Sequence, residues 1–594
     1  MQSFISFSPL RALVGSLALI TLAACQDSTE ISAVTTPSAS RAELVTLAVD
    51  PSPMGPYDVL EDVDYNFGRI TVTDPIGDRS YESDVHGYVR YSKTASTPMP
   101  MVLLMHGRHQ TCETEIGQLP VLIADDDQCP NTPLVHPALS YRGYDYLAEN
   151  LASHGYFVIS IDANDINDSD GSATSGDAGA NARAQLIKSH LDSFRDIHNG
   201  NPVSGDVDLT NLVGALDIDH IGVMGHSRGG DGVSRYVAYN REQTEPHHIV
   251  ATFALAPTDY NQEFVDGATF ATLLPYCDGD VEDVQGAFIY DDSRFLDADD
   301  PSPKFQIVTM GSNHNYFNTV WTSDDWTITD FSGSDSFCGT NTDSHQRDTP
   351  EEQRALGLFF MASFFRYYVG GETEYGHYWN GQAQVPDFAC PAGAGPCEDR
   401  HHLSVHAPAQ DRMLISDFGG SEDLALNDVG GAIYLDGFSA FEICDPDRDG
   451  VGCPSATTFS ITPQLALQWT SAATLSNQLP NINASDFDVL SIRAAVSTLN
   501  ADKDIAMDFS LSLFDTAGQS ATVMASSFSD SLYHPPGDPE GGGSRKTLLN
   551  AIDIPLTAFE GVDLNSLKQL QIGFPEMDDA YIQLADLMLM RTAP

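Results

Sequence analysis

Ile218 to Tyr239 reads IDHIGVMGHSRGGDGVSRYVAY: an apolar run, a serine with a glycine two positions away on either side, then a helical run. If this is strand, turn and helix, Gly225 and Gly229 let the backbone make a sharp elbow without a Cβ clash, and Ser227 projects at a sheet edge. A serine hydroxyl is a weak nucleophile until a base takes its proton, and that base needs an anion to hold its tautomer. The chain should therefore supply an acid and then a histidine, each just past a later strand.

Both are present in that order. ATLLPYCDGDVEDVQG (Ala271–Gly286) ends an apolar run at Cys277 and turns through Asp278 and Asp280; KFQIVTMGSNHNYFN (Lys304–Asn318) ends another and turns through His314. The Cys-x-x-Asp spacing favours Asp280 as the acid, with Asp278 as the alternative. Acyl chemistry also needs oxyanion donors. The backbone N–H of Arg228, at the helix start, and that of Arg108, after the run MVLLMHG, are the candidates. His109 reads as a pocket wall. Trp321 and Trp326, shortly after His314, read equally as a lid or as packing.

Outward from the elbow, β-rich runs such as MPMVLLMHG, YFVISID, IVATFALAP and KFQIVTMG alternate with helical patterns from about Gly55 to Gly371. Such alternation predicts an α/β class with a mostly parallel sheet covered by helices. Thr349-Pro350-Glu351-Glu352 supplies a capping box with proline at the first helical position. From about Asp411 the texture changes to strand-like alternation broken by turns (DVLSIRAAVS, IAMDFSLSLFD, LKQLQIGF, YIQLADLMLMR), which predicts an all-β sandwich. His534–Lys546, HPPGDPEGGGSRK, reads as a flexible loop within it.

The remaining features place the chain outside the cytoplasm. An apolar stretch from Ala12 to Leu22 followed by LAAC reads as an export signal, and Gln26 to about Ser52 as a tether. Excluding Cys25, eight cysteines remain. Cys112 with Cys129, Cys390 with Cys397 and Cys444 with Cys453 are near neighbours, and Cys277 and Cys338 are left over. Four bridges in an oxidising compartment is the simplest assignment, with connectivity open. The formal net charge of −56 opposes binding to nucleic acid or anionic lipid surfaces. In CDPDRDGVGC, Asp445, Asp447 and Asp449 alternate before Gly450, a spacing that lets carboxylates converge on a structural Ca²⁺.

The motifs GPYDV, HGYFVISIDAN, GVMGHSRGG, LAPTD and TLLPYC-x-x-D together resemble the α/β-hydrolase superfamily, specifically secreted bacterial cutinases and polyester hydrolases; GHSRGG is also similar to chlorophyllases. The resemblance implies an α/β-hydrolase fold, a Ser227–His314–Asp280 triad, oxyanion N–H groups from Arg108 and Arg228, and a carboxylic ester as substrate, with no cofactor for catalysis. Polyester hydrolases of this branch carry aromatic residues where this chain has Arg108 and Thr258, so an ester with polar flanks is as plausible a substrate as an aromatic polyester. The LAAC end of the leader resembles a lipobox, implying a lipid on Cys25, contact with a membrane through that lipid alone, and an outer-membrane or cell-surface location, or release from the cell. LNAIDIPLTAFEGVDLNSLKQLQIGF resembles jelly-roll modules of glycan-active enzymes, implying a polysaccharide partner or a supporting role. The expected organisation is thus a leader (1–25), a tether (26–54), a catalytic domain (55–375), a disulfide-containing linker (376–410) and a C-terminal β-sandwich (411–594). Two rival readings are a surface-binding lipoprotein with an inactive hydrolase domain and a peptidase on the same fold.

Overall fold

The strand before the elbow, Leu216–His226, lies near the middle of a nine-stranded sheet. The computed structural model describes residues 46–592, apart from 59, 75–78, 115–128, 130–131, 170–175, 206, 329–334, 342–345, 391–399, 419–423, 446–458, 502–506, 534 and 538–544. In chain order the strands of this sheet are β1 (Glu61–Asp74), β2 (Arg79–Tyr91), β3 (Met99–Met105), β4 (Phe157–Ile161), β5 (Leu216–His226), β6 (Ile249–Leu255), β7 (Thr269–Pro275), β8 (Lys304–Thr309) and β9 (His401–His406). Their spatial order is β9-β8-β7-β6-β5-β3-β4-β2-β1. The pairings from β4 to β8 are parallel, whereas β1 with β2, β2 with β4, and β8 with β9 are antiparallel.

Burial follows this order. β4 (FVISI) and β7 (TFATLLP) are buried throughout because helices cover both faces, so their sequences are nearly continuous apolar runs. β1 lies at an edge and alternates exposed and buried residues. Helices α1 (Asp145–Ser153) and α5 (Pro350–Tyr368) share one core with one face of the sheet; α2 (Ala180–His198) and α3 (Arg228–Arg241) share another with the opposite face. A shorter helix, α4 (Gly286–Arg294), follows β7. α5 starts with both bonds of its capping box formed between Thr349 and Glu352.

The C-terminal part is an antiparallel sheet of β10 (Arg412–Ser416), β11 (Ile433–Cys444), β12 (Gln464–Ile482), β13 (Val489–Val496), β14 (Ser510–Asp515), β15 (Ser520–Met524), β16 (Asn550–Pro555), β17 (Leu567–Phe574) and β18 (Ala580–Met590). β12 spans 19 residues and pairs with β11, β17 and β18 along different parts of its length, with register shifts against β11 and β17. Such irregularities bend a strand and increase its twist. The result is a curled half-barrel around one apolar core that includes Trp469, Leu511, Ile552 and Leu584.

The expected fold class, α/β with the α/β-hydrolase fold and a mostly parallel sheet ahead of a jelly-roll-like sandwich, is corrected by these findings. The chain is mostly β, with 36% strand against 24% helix; its large sheet is mixed, and its second sheet is the half-barrel just described. The difference has two sources. The long hairpin of β1 and β2 carries Asp, Glu and Arg at its exposed positions and leaves no apolar run in the sequence. The C-terminal strands curl one sheet around its core instead of stacking two. Ala42–Pro594 forms one compact unit that contains both sheets, and no helix of the described residues is long and apolar enough to cross a membrane.

Candidate active site

The elbow is built by close backbone approach. A Cβ on Gly225 would lie 1.9 Å from the Gly229 carbonyl oxygen, and one on Gly229 would lie 2.7 Å from the carbonyl oxygens of Met105 and His106. With only hydrogens there, α3 seats directly on the ends of β3 and β5. Ser227 takes φ 57° and ψ −125°, a region that non-glycine residues rarely occupy. Its N–H donates to Leu255 O (2.9 Å), and its carbonyl accepts from Gly230 N (2.8 Å). The serine is 3% exposed.

His314 follows β8 and is buried. Its Nδ1–H donates to Asp278 Oδ2 at 2.8 Å. The carboxylate bonded to His314 Nδ1 is thus Asp278, the alternative that the sequence left open, and not Asp280. The other Asp278 oxygen, Oδ1, accepts from the N–H groups of Asp280 (2.9 Å) and Val281 (2.7 Å), an arrangement that turns this carboxylate inward. Asp280 sits on the outer side of the same turn with its side chain 60% exposed, and its Oδ2 comes within 3.5 Å of His314 Nε2.

Burial alone would raise the Asp278 carboxyl. The His314 charge, the hydrogen bond to His314 and then the Lys546 charge outweigh it and hold the group below its ordinary value. For His314, burial pushes down, but the Asp278 charge and hydrogen bond, followed by Asp280 and Asp325, carry it above the ordinary imidazole value.

Asp325, which the sequence reading missed, ties the two loops together. Its Oδ2 accepts from Gly279 N (2.8 Å) and His314 N (3.2 Å), and its Oδ1 from Asn315 N (3.1 Å). Behind them, Gln353 at the start of α5 makes a reciprocal pair of bonds with Asn313, and Cys277 is bridged to Cys338.

A column of rings links His314 to the serine's neighbour. His226, directly before Ser227, has its ring centroid 4.9 Å from that of His314 and, separately, 4.9 Å from Trp321, which stacks in turn on His109 at 4.9 Å. Tyr144 OH lies 2.8 Å from His226 Nδ1. Burial, followed by the proximity of other imidazoles, pushes His109 down to about 4 and His226 well below its ordinary value, so both are neutral near pH 7. Trp321 and Trp326 are both buried, Trp321 within this column and Trp326 in a cluster with Tyr276, Cys277 and Cys338.

Gly107, at the end of β3, abuts the serine: a Cβ there would lie 2.7 Å from Ser227 Cβ. Its carbonyl accepts from His106 Nδ1 (2.8 Å) and Asn167 Nδ2 (3.2 Å). The peptide is planar and trans, so the Arg108 N–H points away from those donors. Arg228 is the first residue of α3, where the helix dipole favours negative charge. The Arg108 side chain is exposed, and Thr258 is buried with its hydroxyl on Asp231 Oδ2 (3.1 Å).

Cys112 is bridged to Cys129, and Cys390 and Cys444 are also disulfide-bonded; Cys397 and Cys453 lie outside the described residues. So do Cys25, Asp447 and Asp449, while Asp445 is exposed just past β11. Among the described residues no group of three or more His, Cys, Asp or Glu side chains could hold a metal.

No protein-family model matches the chain, and no curated protein matches it significantly.

Proposed function

We propose that this chain is a serine hydrolase that cleaves carboxylic esters through an acyl-enzyme. The observation that carries this reading is the buried 2.8 Å bond from His314 Nδ1 to Asp278 Oδ2, with the His314 ring against that of His226, the residue directly before a serine on a strained elbow. In this mechanism the Ser227 hydroxyl gives its proton to His314 Nε2 as Oγ bonds to the ester carbonyl carbon. The oxyanion is met by the N–H groups of Arg108 and Arg228. The C–O bond to the alcohol then breaks, and His314 returns the proton to the leaving oxygen. Water repeats the sequence on the acyl-enzyme, releasing the acid and restoring Ser227. Asp278 stays ionised throughout and fixes the imidazole tautomer.

Disulfides within the folded unit support an oxidising compartment, and export of the protein belongs to the same proposal. A fluorophosphonate probe tests the assignment, since only an activated serine reacts with it. The wild-type protein should be labelled and should hydrolyse p-nitrophenyl acetate. Ser227→Ala should remain folded, escape labelling and lose several orders of magnitude in turnover. A wild-type protein that is not labelled would reduce the chain to a binding protein.

A further inference from the structure

The loop that carries the acid is also held from the C-terminal sheet. Lys546 lies just before β16, at the end of the stretch that reads as a flexible loop, yet it is 3% exposed. Its Nζ donates to the main-chain oxygen of Asp278 (3.1 Å), and its own N–H donates to Tyr276 OH (3.0 Å). Tyr276 OH donates in turn to Pro536 O (2.9 Å), and Thr547 O accepts from Phe459 N (2.9 Å). Phe459, Arg545 and Lys546 line a cleft of about 480 Å³ together with Asp280, Glu282 and Asp283. That cleft therefore reaches Asp280, the residue beside His314 Nε2.

Burying an ammonium is costly unless nearby groups compensate it. Burial pushes Lys546 down to about 8, while Asp278, Asp325, Glu282 and Asp283 favour its charged form. A buried cation whose hydrogen bond goes to the acid's own peptide does two things. It fixes the Tyr276–Asp280 turn, and it places positive charge behind the carboxylate that must stay ionised.

We propose that Lys546 is a positioning residue for Asp278, so that hydrolysis depends on the docked C-terminal sheet. This rests on the hydrolase reading above. Lys546→Met removes both bond and charge; Tyr276→Phe cuts the second tether without changing charge. Lys546→Met should keep its secondary structure while kcat and the fluorophosphonate labelling rate fall by about tenfold or more, with KM little changed, because a displaced triad harms the transition state and not ground-state binding. The acid limb of its pH profile should also move up, since the Asp278–His314 pair holds its proton more tightly once the nearby cation is gone. Tyr276→Phe should lower kcat in the same way and leave the acid limb in place. A folded Lys546→Met with wild-type kcat and acid limb overturns the proposal. If Lys546→Met does not fold, Tyr276→Phe decides, and an unchanged kcat there overturns it. Absence of labelling in the wild-type protein would instead defeat the hydrolase reading itself.

Discussion

At the scale of single residues, the site turns on which of two carboxylates faces inward. Asp278 accepts two backbone N–H groups on one oxygen and the His314 Nδ1–H on the other, whereas Asp280 is largely solvated. Asp278→Asn should therefore cost about 10⁴-fold in kcat by presenting the wrong tautomer. Asp280→Asn should cost far less, and the reverse ranking in a steady-state comparison would return the role to Asp280. The same environment fixes a pH dependence. A base must be neutral to accept a proton, and the carboxylates around His314 favour its protonated form. The acid limb of kcat/KM should therefore lie above the ordinary imidazole value of about 6.5, and a limb at or below it would contradict this electrostatic picture. The Cys-x-x-Asp spacing ranks Asp280 ahead of Asp278, but two residues on one turn have equivalent sequence contexts, and spacing carries no information on which of them faces inward. Asp325 was invisible for a related reason: its three N–H partners come together only when two loops fold against each other.

At the scale of elements, the legible strands were those with the simplest burial. β3, β4 and β5 sit in the middle of the sheet and are buried and mainly apolar toward their C-terminal ends, so those ends, and with them Gly107 and Ser227, could be located from the sequence. β1 escaped notice because an edge strand gives half its positions to solvent, β2 because Glu, Asp, His and Arg interrupt its apolar residues, and β12 because its 19 residues serve several partners in turn. The helix after the elbow holds a further feature with consequences. Asp231, in the first turn of α3, is buried and accepts from Thr258 Oγ1 (3.1 Å) and Tyr260 N (3.3 Å). Burial pushes it up to about 7 despite those bonds and the Arg183 charge, with Asp177 adding to the rise. Burial, together with Asp231, pushes the nearby Glu263 up to about 8 despite Arg235. A carboxyl whose folded-state value is raised binds more protons folded than unfolded. Its stabilisation is present below the unfolded value near 4 and is lost as pH rises through 7 to 8. Asp231→Asn mimics the protonated form and keeps an acceptor oxygen for Thr258 and Tyr260. Its Tm advantage over wild type should be smallest near pH 4 and grow steadily toward pH 8.5, and an equal difference at both pH values would show that Asp231 does not titrate in this range.

At the scale of the whole molecule, the two sheets are joined by a charge cluster that neither part completes alone. Arg294 and Asp291 come from α4, Arg493 from β13 and Asp586 from β18, all with side chains almost wholly buried. Arg493 Nη1 donates to Asp291 Oδ1 (2.8 Å) and Asp586 Oδ2 (3.1 Å), Arg294 donates to both carboxylates, and Asp291 Oδ2 also accepts from Ile461 N (2.9 Å). Two cations and two anions balance, so the cluster as a whole adds little to stability relative to apolar packing, but breaking it is expensive. Arg493→Met leaves two buried carboxylates sharing one guanidinium and withdraws two donors from Leu549 O. It should destabilise the protein by roughly 3–5 kcal/mol. Adding Asp586→Asn restores charge balance. Asn also tolerates the φ of 53° at that position, so the double variant should recover part of the loss although it is one substitution further from wild type. Because the cluster spans both sheets, thermal unfolding followed by circular dichroism and by loss of esterase activity should give coincident transitions in wild type, and the Arg493→Met transition should come at lower temperature by both probes. A wild-type activity transition well below the loss of secondary structure, or a double variant less stable than the single one, would show that the sheets unfold independently and that the cluster does not couple them.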